Sequence, residues 1–279
     1  MKIIFDAVSH NCSKIVTNSY STSFSLATKM LAPSIRQDIY NIYGFVRFAD
    51  EIVDTFHDYD KEILFNDFEA DLYKALDQRI SLNPILNSYQ ETVHKYGIHK
   101  ELYQAFMESM RLDIYKSDYL TTEEFRQYIY GSADVVGLMC LKVFVNGDQE
   151  RYNELKESAM SLGSAFQKVN FLRDLKADYE DLSRSYFPHV DLAKLDEINK
   201  TKIIDEIEED FRKGLHGISN LPVEAKFGVY TAYIYYKKLL QKLKAVPSIE
   251  IKNKRIRVPN YQKAGLLAKS YVSYRLNLI

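Results

Sequence analysis

The chain of 279 residues has no tryptophan, only two cysteines, six prolines and ten glycines. So few turn-forming residues exclude a sandwich or barrel of many short strands. Cys12 and Cys140 are too far apart for a redox or zinc motif, which excludes a disulfide framework and favours a reducing compartment. No apolar run reaches the roughly 18 residues of a membrane span, and no N-terminal apolar segment marks a signal peptide. A cytoplasmic location is therefore expected. The formal net charge is −1, and no recognition motif accompanies the basic residues, so nucleic acid is not an expected partner. A glycine-rich dinucleotide fingerprint is missing too.

What is present is helical periodicity almost throughout. It predicts helices at about 2–18, 20–31, 34–56, 60–78, 83–96, 99–116, 121–146, 149–182, 200–215, 222–245 and 260–277. Pro33, the turn Ser81–Pro84, Gly97, Gly147 and Pro188 supply the breaks. Thr122, followed by Glu123 and Glu124, reads as a helix start with acids in the first turn. No low-complexity linker divides the chain, so one all-α domain over residues 1–279 is expected.

Two of these helices carry an unusual pattern. Asp50 and Asp54 stand in FADEIVD, and Asp174 and Asp178 in NFLRDLKAD. A spacing of four puts both carboxylates of a pair on one helix face, with Cβ atoms roughly 5–6 Å apart. Acids that close repel unless a cation separates them, and two such pairs would form a four-carboxylate cage for a hard ion such as Mg²⁺. Each pair extends a stripe: Tyr43, Arg47, Asp50, Asp54 on one helix and Gln167, Asn170, Asp174, Asp178 on the other. The flanking residues are largely apolar, including Phe45, Phe48, Ile52, Phe166, Val169 and Phe171. A polar stripe on an otherwise apolar helix is costly unless it lines a wet or metal-filled cavity. Asp67 and Asp71 share the spacing without the apolar surroundings and read as a solvated face.

Longer segments now resemble a family, the squalene and phytoene synthases. YSTSFSLATKML (Tyr20–Leu31) is similar to the family's Ser-x-Ser-Phe opening, and IYGFVRFADEIVD to its first aspartate-rich motif. YIYGSADVVGLM (Tyr128–Met139) resembles its central helix, and QKVNFLRDLKADYEDLSRSYFP (Gln167–Pro188) its second aspartate-rich motif with the following Arg-x-Tyr. Asp134 stands where the family has glycine, which is expected to narrow or recharge one cavity wall. The segment between Asp178 and Tyr186 is one residue longer than usual.

The resemblance implies an isoprenoid synthase fold, with helices around a central apolar cavity. It also implies 1′–1 joining of two prenyl diphosphates through a cyclopropylcarbinyl diphosphate. Two or three Mg²⁺ ions on Asp50, Asp54, Asp174 and Asp178 would neutralise the leaving diphosphate. Arg47 and Arg173 would add phosphate contacts or balance the acids. Ser21, Ser23, Gln167, Asn170, Arg184 and Tyr186 would hold the diphosphate, although Ser21 and Ser23 read by themselves as helix caps. Phe24, Tyr43 and Tyr128 would face the allylic cation. The substrate is expected to be geranylgeranyl diphosphate, giving phytoene by proton loss. Farnesyl diphosphate is the alternative, with NADPH required only if the product is squalene. Small residues (Ala133, Gly137, Gly163, Ala165) tilt the expectation toward the longer chain. A non-catalytic, membrane-associated homologue would have eroded acidic motifs, and these are intact. A terpene cyclase has a second motif of different character.

From Lys237 onward there are eleven Lys and Arg against one acid, Glu250, interleaved with apolar residues. This pattern suits anionic phosphates, the inner face of a membrane as a peripheral contact, or a solvated face. If a membrane is the partner, the protein will co-sediment with anionic vesicles and be released by added salt. Indifference to lipid charge in that assay would leave the solvated face or a phosphate ligand.

Overall fold

The structure, a computed structural model, describes residues 1–116, 119, 121–181, 187, 195–251, 253 and 255–276, the side chains of 176–181 excepted. Among the described residues there are thirteen α-helices and one π-helical turn. They run α1 (Lys2–Tyr20), α2 (Thr22–Lys29), α3 (Pro33–Asp54), α4 (Lys61–Gln78), α5 (Pro84–Tyr96), α6 (Lys100–Tyr115) and α7 (Thr122–Ile129). The π-turn Tyr130–Asp134 leads into α8 (Val135–Phe144), then α9 (Gln149–Asp181), α10 (Glu197–Ser219), α11 (Val223–Ala245), α12 (Ser248–Ile251) and α13 (Asn260–Arg275).

Local chemistry sets the ends. Asp60, Asn83 and Asp196 accept backbone N–H bonds at the starts of α4, α5 and α10, and Pro33 and Pro84 occupy first-turn positions. The cap of α7 is Thr121, one residue before the expected Thr122, in a capping box with Glu124. Gly97 closes α5 at φ 60°, where a side chain would be strained.

Two apolar cores result. One gathers α3, α4, α5, α6 and α8 around Phe45, which stacks on Tyr89 at 4.0 Å. The other gathers α7, α9, α10 and α11 around Phe211 and Leu172. α3 roots in the first core, whereas α9 starts in the first with Tyr152 and Leu155 and carries its aspartate-bearing part, from Leu162 to Leu175, into the second. A buried polar seam fixes α1 and α3 against α5: Asn41 Nδ2 donates to Thr92 Oγ1 at 3.0 Å, and the Ser13 and Ser88 hydroxyls share a 2.7 Å bond. Gly44 permits this approach, because a Cβ there would lie 2.9 Å from Ser13 Oγ. Wholly buried polar groups paired in this way fix register as well as energy.

The predicted helix at about 121–146 is interrupted by the π-turn. Its wider coil sends Ser132 and Ala133 toward the interior cavity, while Asp134 meets Ser164 of α9, whose hydroxyl donates to Oδ1 at 2.7 Å. Asp134 is thus absent from the cavity lining and does not narrow it. Among the described residues no helix is long and apolar enough to cross a membrane.

Burial pushes the Asp134 carboxyl up from 3.8 to about 7, helped by Asp210 and opposed by Ser164 and Lys168. The folded chain therefore holds this proton to higher pH than the unfolded chain. The site's contribution to stability is complete below pH 3.8 and is lost as pH rises toward about 7. Asp134→Asn, which keeps the oxygen that accepts from Ser164, is expected to stabilise the protein by about 1–3 kcal/mol at neutral pH and to change little in acid. Thermal unfolding across pH checks this, and an unchanged midpoint at pH 8 would refute it.

Candidate active site

Between the two cores lies a cavity of about 1040 Å³. Ser21, Ser23, Phe24, Tyr43, Arg47, Asp50, Asp54, Tyr128, Gln167, Asn170, Arg173 and Asp174 all line it. One cavity thus collects twelve of the residues singled out in the sequence. Arg184, Tyr186 and the break at Pro188 lie outside the described residues, as does the side chain of Asp178.

The acids of α3 sit under strain. Burial pushes the Asp50 carboxyl up to about 7, and Asp54, Asp113 and Glu51 push in the same direction against Arg47. Arg47 binds Asp50 and Glu51 and lies over the Tyr20 ring, 4.4 Å from its centroid. Its Nε is buried without a hydrogen-bond partner. Across the cavity Arg173 grips Asp174 with two nitrogens, and Arg255 adds a second clasp at 2.7 and 3.3 Å.

Among the described residues no three His, Cys, Asp or Glu side chains converge on a metal position. The expected four-carboxylate cage includes the Asp178 side chain, which lies outside the described residues. The donors nevertheless fit Mg²⁺. They are hard carboxylate oxygens, with Asp50 crowded by neighbouring acids, and Mg²⁺ is commonly held by one or two carboxylates with substrate phosphates completing the shell.

Aromatic groups flank the acids. Phe24 stacks on Tyr43 at 4.6 Å, Phe166 on Tyr236 at 4.2 Å, and Tyr128 on Phe171 at 6.0 Å. The Tyr236 hydroxyl donates to Asn170 Oδ1 at 3.3 Å. Ser21 caps α2, accepting from the Phe24 amide at 3.2 Å while also lining the cavity. Burial pushes the Tyr43 phenol and the Cys140 thiol each up to about 12. Tyr43 therefore stays neutral, and Cys140, though on the wall, is no nucleophile.

Sequence reasoning missed four charged residues on this wall: Asp113 of α6, Arg255 and Arg257 before α13, and Lys263 within it. Lys263 is 8% exposed, and its ammonium donates to Thr22 Oγ1 at 3.0 Å. Among the described residues no carboxylate pairs with it. Burial lowers its pKa, as do the neighbouring Arg173 and Arg257. A buried cation crowded by two more is a place for an anion. The signal was the basic C-terminal run. A lone acid in α6 gave none.

The small residues prove to serve contact between helices. A Cβ on Gly163 would lie 2.9 Å from the Ala133 carbonyl, and one on Gly137 3.0 Å from that of Ala159. Ala165 is fully buried and does not line the cavity. Ala133, Gly137 and Gly163 nonetheless line the cavity, as expected of small residues there.

The sequence model of the squalene/phytoene synthase family matches residues 17–262. Phytoene synthase 3 of Zea mays is 27% identical, and the alignment covers 95% of this chain but 66% of that protein, so the chain spans just under two thirds of it. The phytoene synthase of Arthrospira platensis is 25% identical, with 96% and 94% covered. A crystallised dehydrosqualene synthase superposes with a TM-score of 0.80 over 97% of this chain and 98% of its own, at 19% identity, a likeness of fold. The chain belongs to the squalene/phytoene synthase family, prenyltransferases that condense prenyl diphosphates head to head.

Proposed function

We propose that this protein, as a single domain over residues 1–279, joins two molecules of geranylgeranyl diphosphate 1′–1 to phytoene by way of prephytoene diphosphate. One observation carries the reading. A single, largely apolar cavity of about 1040 Å³ carries acids crowded around Asp50 and cations crowded around Lys263 on its walls. A magnesium diphosphate satisfies both sets at once, and a prenyl chain fills the apolar remainder.

The roles follow from chemistry. Arg47, Arg173, Arg255 and Lys263 bind diphosphate oxygens, and Ser21, Ser23, Gln167 and Asn170 orient them by hydrogen bonds. Asp50 and Asp54 on one side, with Asp174 and Asp178 on the other, would hold Mg²⁺, which when bound supplies Lewis-acid neutralisation of the leaving group. Arg255 and Arg173 must then share Asp174 with the ion and turn toward the phosphates. Arg184 and Tyr186 complete the diphosphate contacts. Phe24, Tyr43 and Tyr128 offer aromatic faces to the allylic cation, and the apolar lining keeps water from it.

Relatives named phytoene synthases support the C20 substrate. The likeness to a dehydrosqualene synthase keeps farnesyl diphosphate as the alternative, with NADPH only for a squalene product. At the surface, α13 exposes Tyr261, Tyr271, Val272 and Leu276 among basic residues, which supports peripheral contact with an anionic membrane.

Incubation of the purified protein with Mg²⁺ and each diphosphate, with and without NADPH, is expected to give phytoene from the C20 substrate alone. Identification of the hydrocarbon decides the matter, and no 1′–1 product from either substrate would remove the assignment. Asp50→Ala and Asp174→Ala are each expected to lower kcat by at least about 10²–10³-fold while the helical circular dichroism persists. Retained turnover would show that these carboxylates do not serve the reaction.

A further inference from the structure

Asp113 is the one acid of α6 on the cavity wall, and it belongs to neither aspartate pair. It is 8% exposed. Its two oxygens accept hydrogen bonds from two phenols: Tyr119 Oη to Oδ1 at 3.2 Å and Tyr128 Oη to Oδ2 at 2.9 Å. The two rings lie 4.3 Å apart, and the far side of Tyr128 stacks with Phe171 of α9. Tyr128 and Asp113 both line the cavity, whereas Tyr119 does not.

We propose that Asp113 is a positioning residue for the reaction, fixing Tyr128 so that its phenol offers substrate lone-pair density and not its proton. The inference rests on the prenyl-coupling reading above. A phenol has one proton, and here it is committed to a carboxylate. Such a charge-assisted bond is roughly twice as strong as a neutral one, so a diphosphate oxygen does not readily capture that proton. The bond also draws negative charge onto the phenol oxygen, which then favours a nearby carbocation. Tyr128 is thereby assigned to the cationic hydrocarbon, while the diphosphate is left to Arg47, Arg173, Arg255 and Lys263. The pairing survives burial because Tyr119 and the flanking rings hold both partners in place. Without Asp113 the Tyr128 proton is released to a diphosphate oxygen. That contact strengthens the ground state, and the stabilisation of the cation is lost.

The test is a double-mutant cycle on the full-length protein with Asp113→Asn, Tyr128→Phe and the pair, using whichever prenyl diphosphate the wild type consumes. Asp113→Asn is expected to lower kcat by about 10²-fold, with KM unchanged or lower. Tyr128→Phe should lose a similar factor, and the double variant should lose little more than either single one. Asp113→Glu, which keeps the charge and the acceptors, should recover part of kcat and serves if the asparagine variant folds poorly. Wild-type kcat in Asp113→Asn, or losses that multiply in the double variant, would overturn the proposal. The same cycle read by thermal unfolding separates this from the functional reading. If the wild type makes no 1′–1 product, that reading falls on its own, and additive unfolding effects would independently sink the Asp113–Tyr128 link.

Discussion

Charge held against an apolar surface is the constraint around which this structure is arranged. Asp50, Asp54 and Asp113 crowd one side of a cavity otherwise walled by hydrocarbon, and Arg173, Arg257 and Lys263 crowd the other. Each group is unfavourable by itself, since burial penalises every ionised side chain and like charges add to the penalty. The arrangement persists because two independent cores hold the walls apart. α3 is rooted in one core and the aspartate-bearing part of α9 in the other, so the two sets of charges are held on separate walls. What remains is a cavity with acids and cations on its wall beside an apolar lining, the combination on which the proposed function rests.

Ion pairs within the protein partly relieve that crowding. Arg47 leans on Asp50 and Glu51 beneath Tyr20, and Asp174 is clasped by Arg173 and Arg255. On the proposed function, these pairs stand in for the ion and the diphosphate. Guanidinium groups suit the exchange, because the same planar fork that matches a carboxylate matches a phosphate. The stand-ins are incomplete: among the described residues Arg47 Nε has no hydrogen-bond partner and Lys263 meets Thr22 but no carboxylate. The Asp134–Ser164 contact shows the same economy of charge away from the site. The π-turn carries that acid out of the cavity wall and into contact with α9.

Much of the fold was legible in the residues. Period-3.6 patterning, scarce glycine and proline, and side-chain caps located the helices to within a few positions, because these signals act over one or two turns. The interruption at Tyr130–Asp134 was not legible, since it depends on Gly131 lying against Ser109, where a Cβ would come within 2.6 Å of the serine Cβ. Of the small residues read as room for a longer substrate, Ala133, Gly137 and Gly163 line the cavity, Gly137 and Gly163 also meet a neighbouring helix closely, and Ala165 packs away from the cavity. From composition alone, a residue that is small for packing looks the same as one that is small for a ligand.

The sequence by itself determined the all-α class, the two aspartate stripes and the polar and aromatic residues that travel with them, because a helix carries its own face from spacing alone. Only the tertiary structure decided that both stripes open onto one cavity and that part of the basic C-terminal run, Arg255, Arg257 and Lys263, lines its wall. It also decided that Asp113 pairs with Tyr128. Those facts join residues far apart in the chain, through packing that no local pattern records.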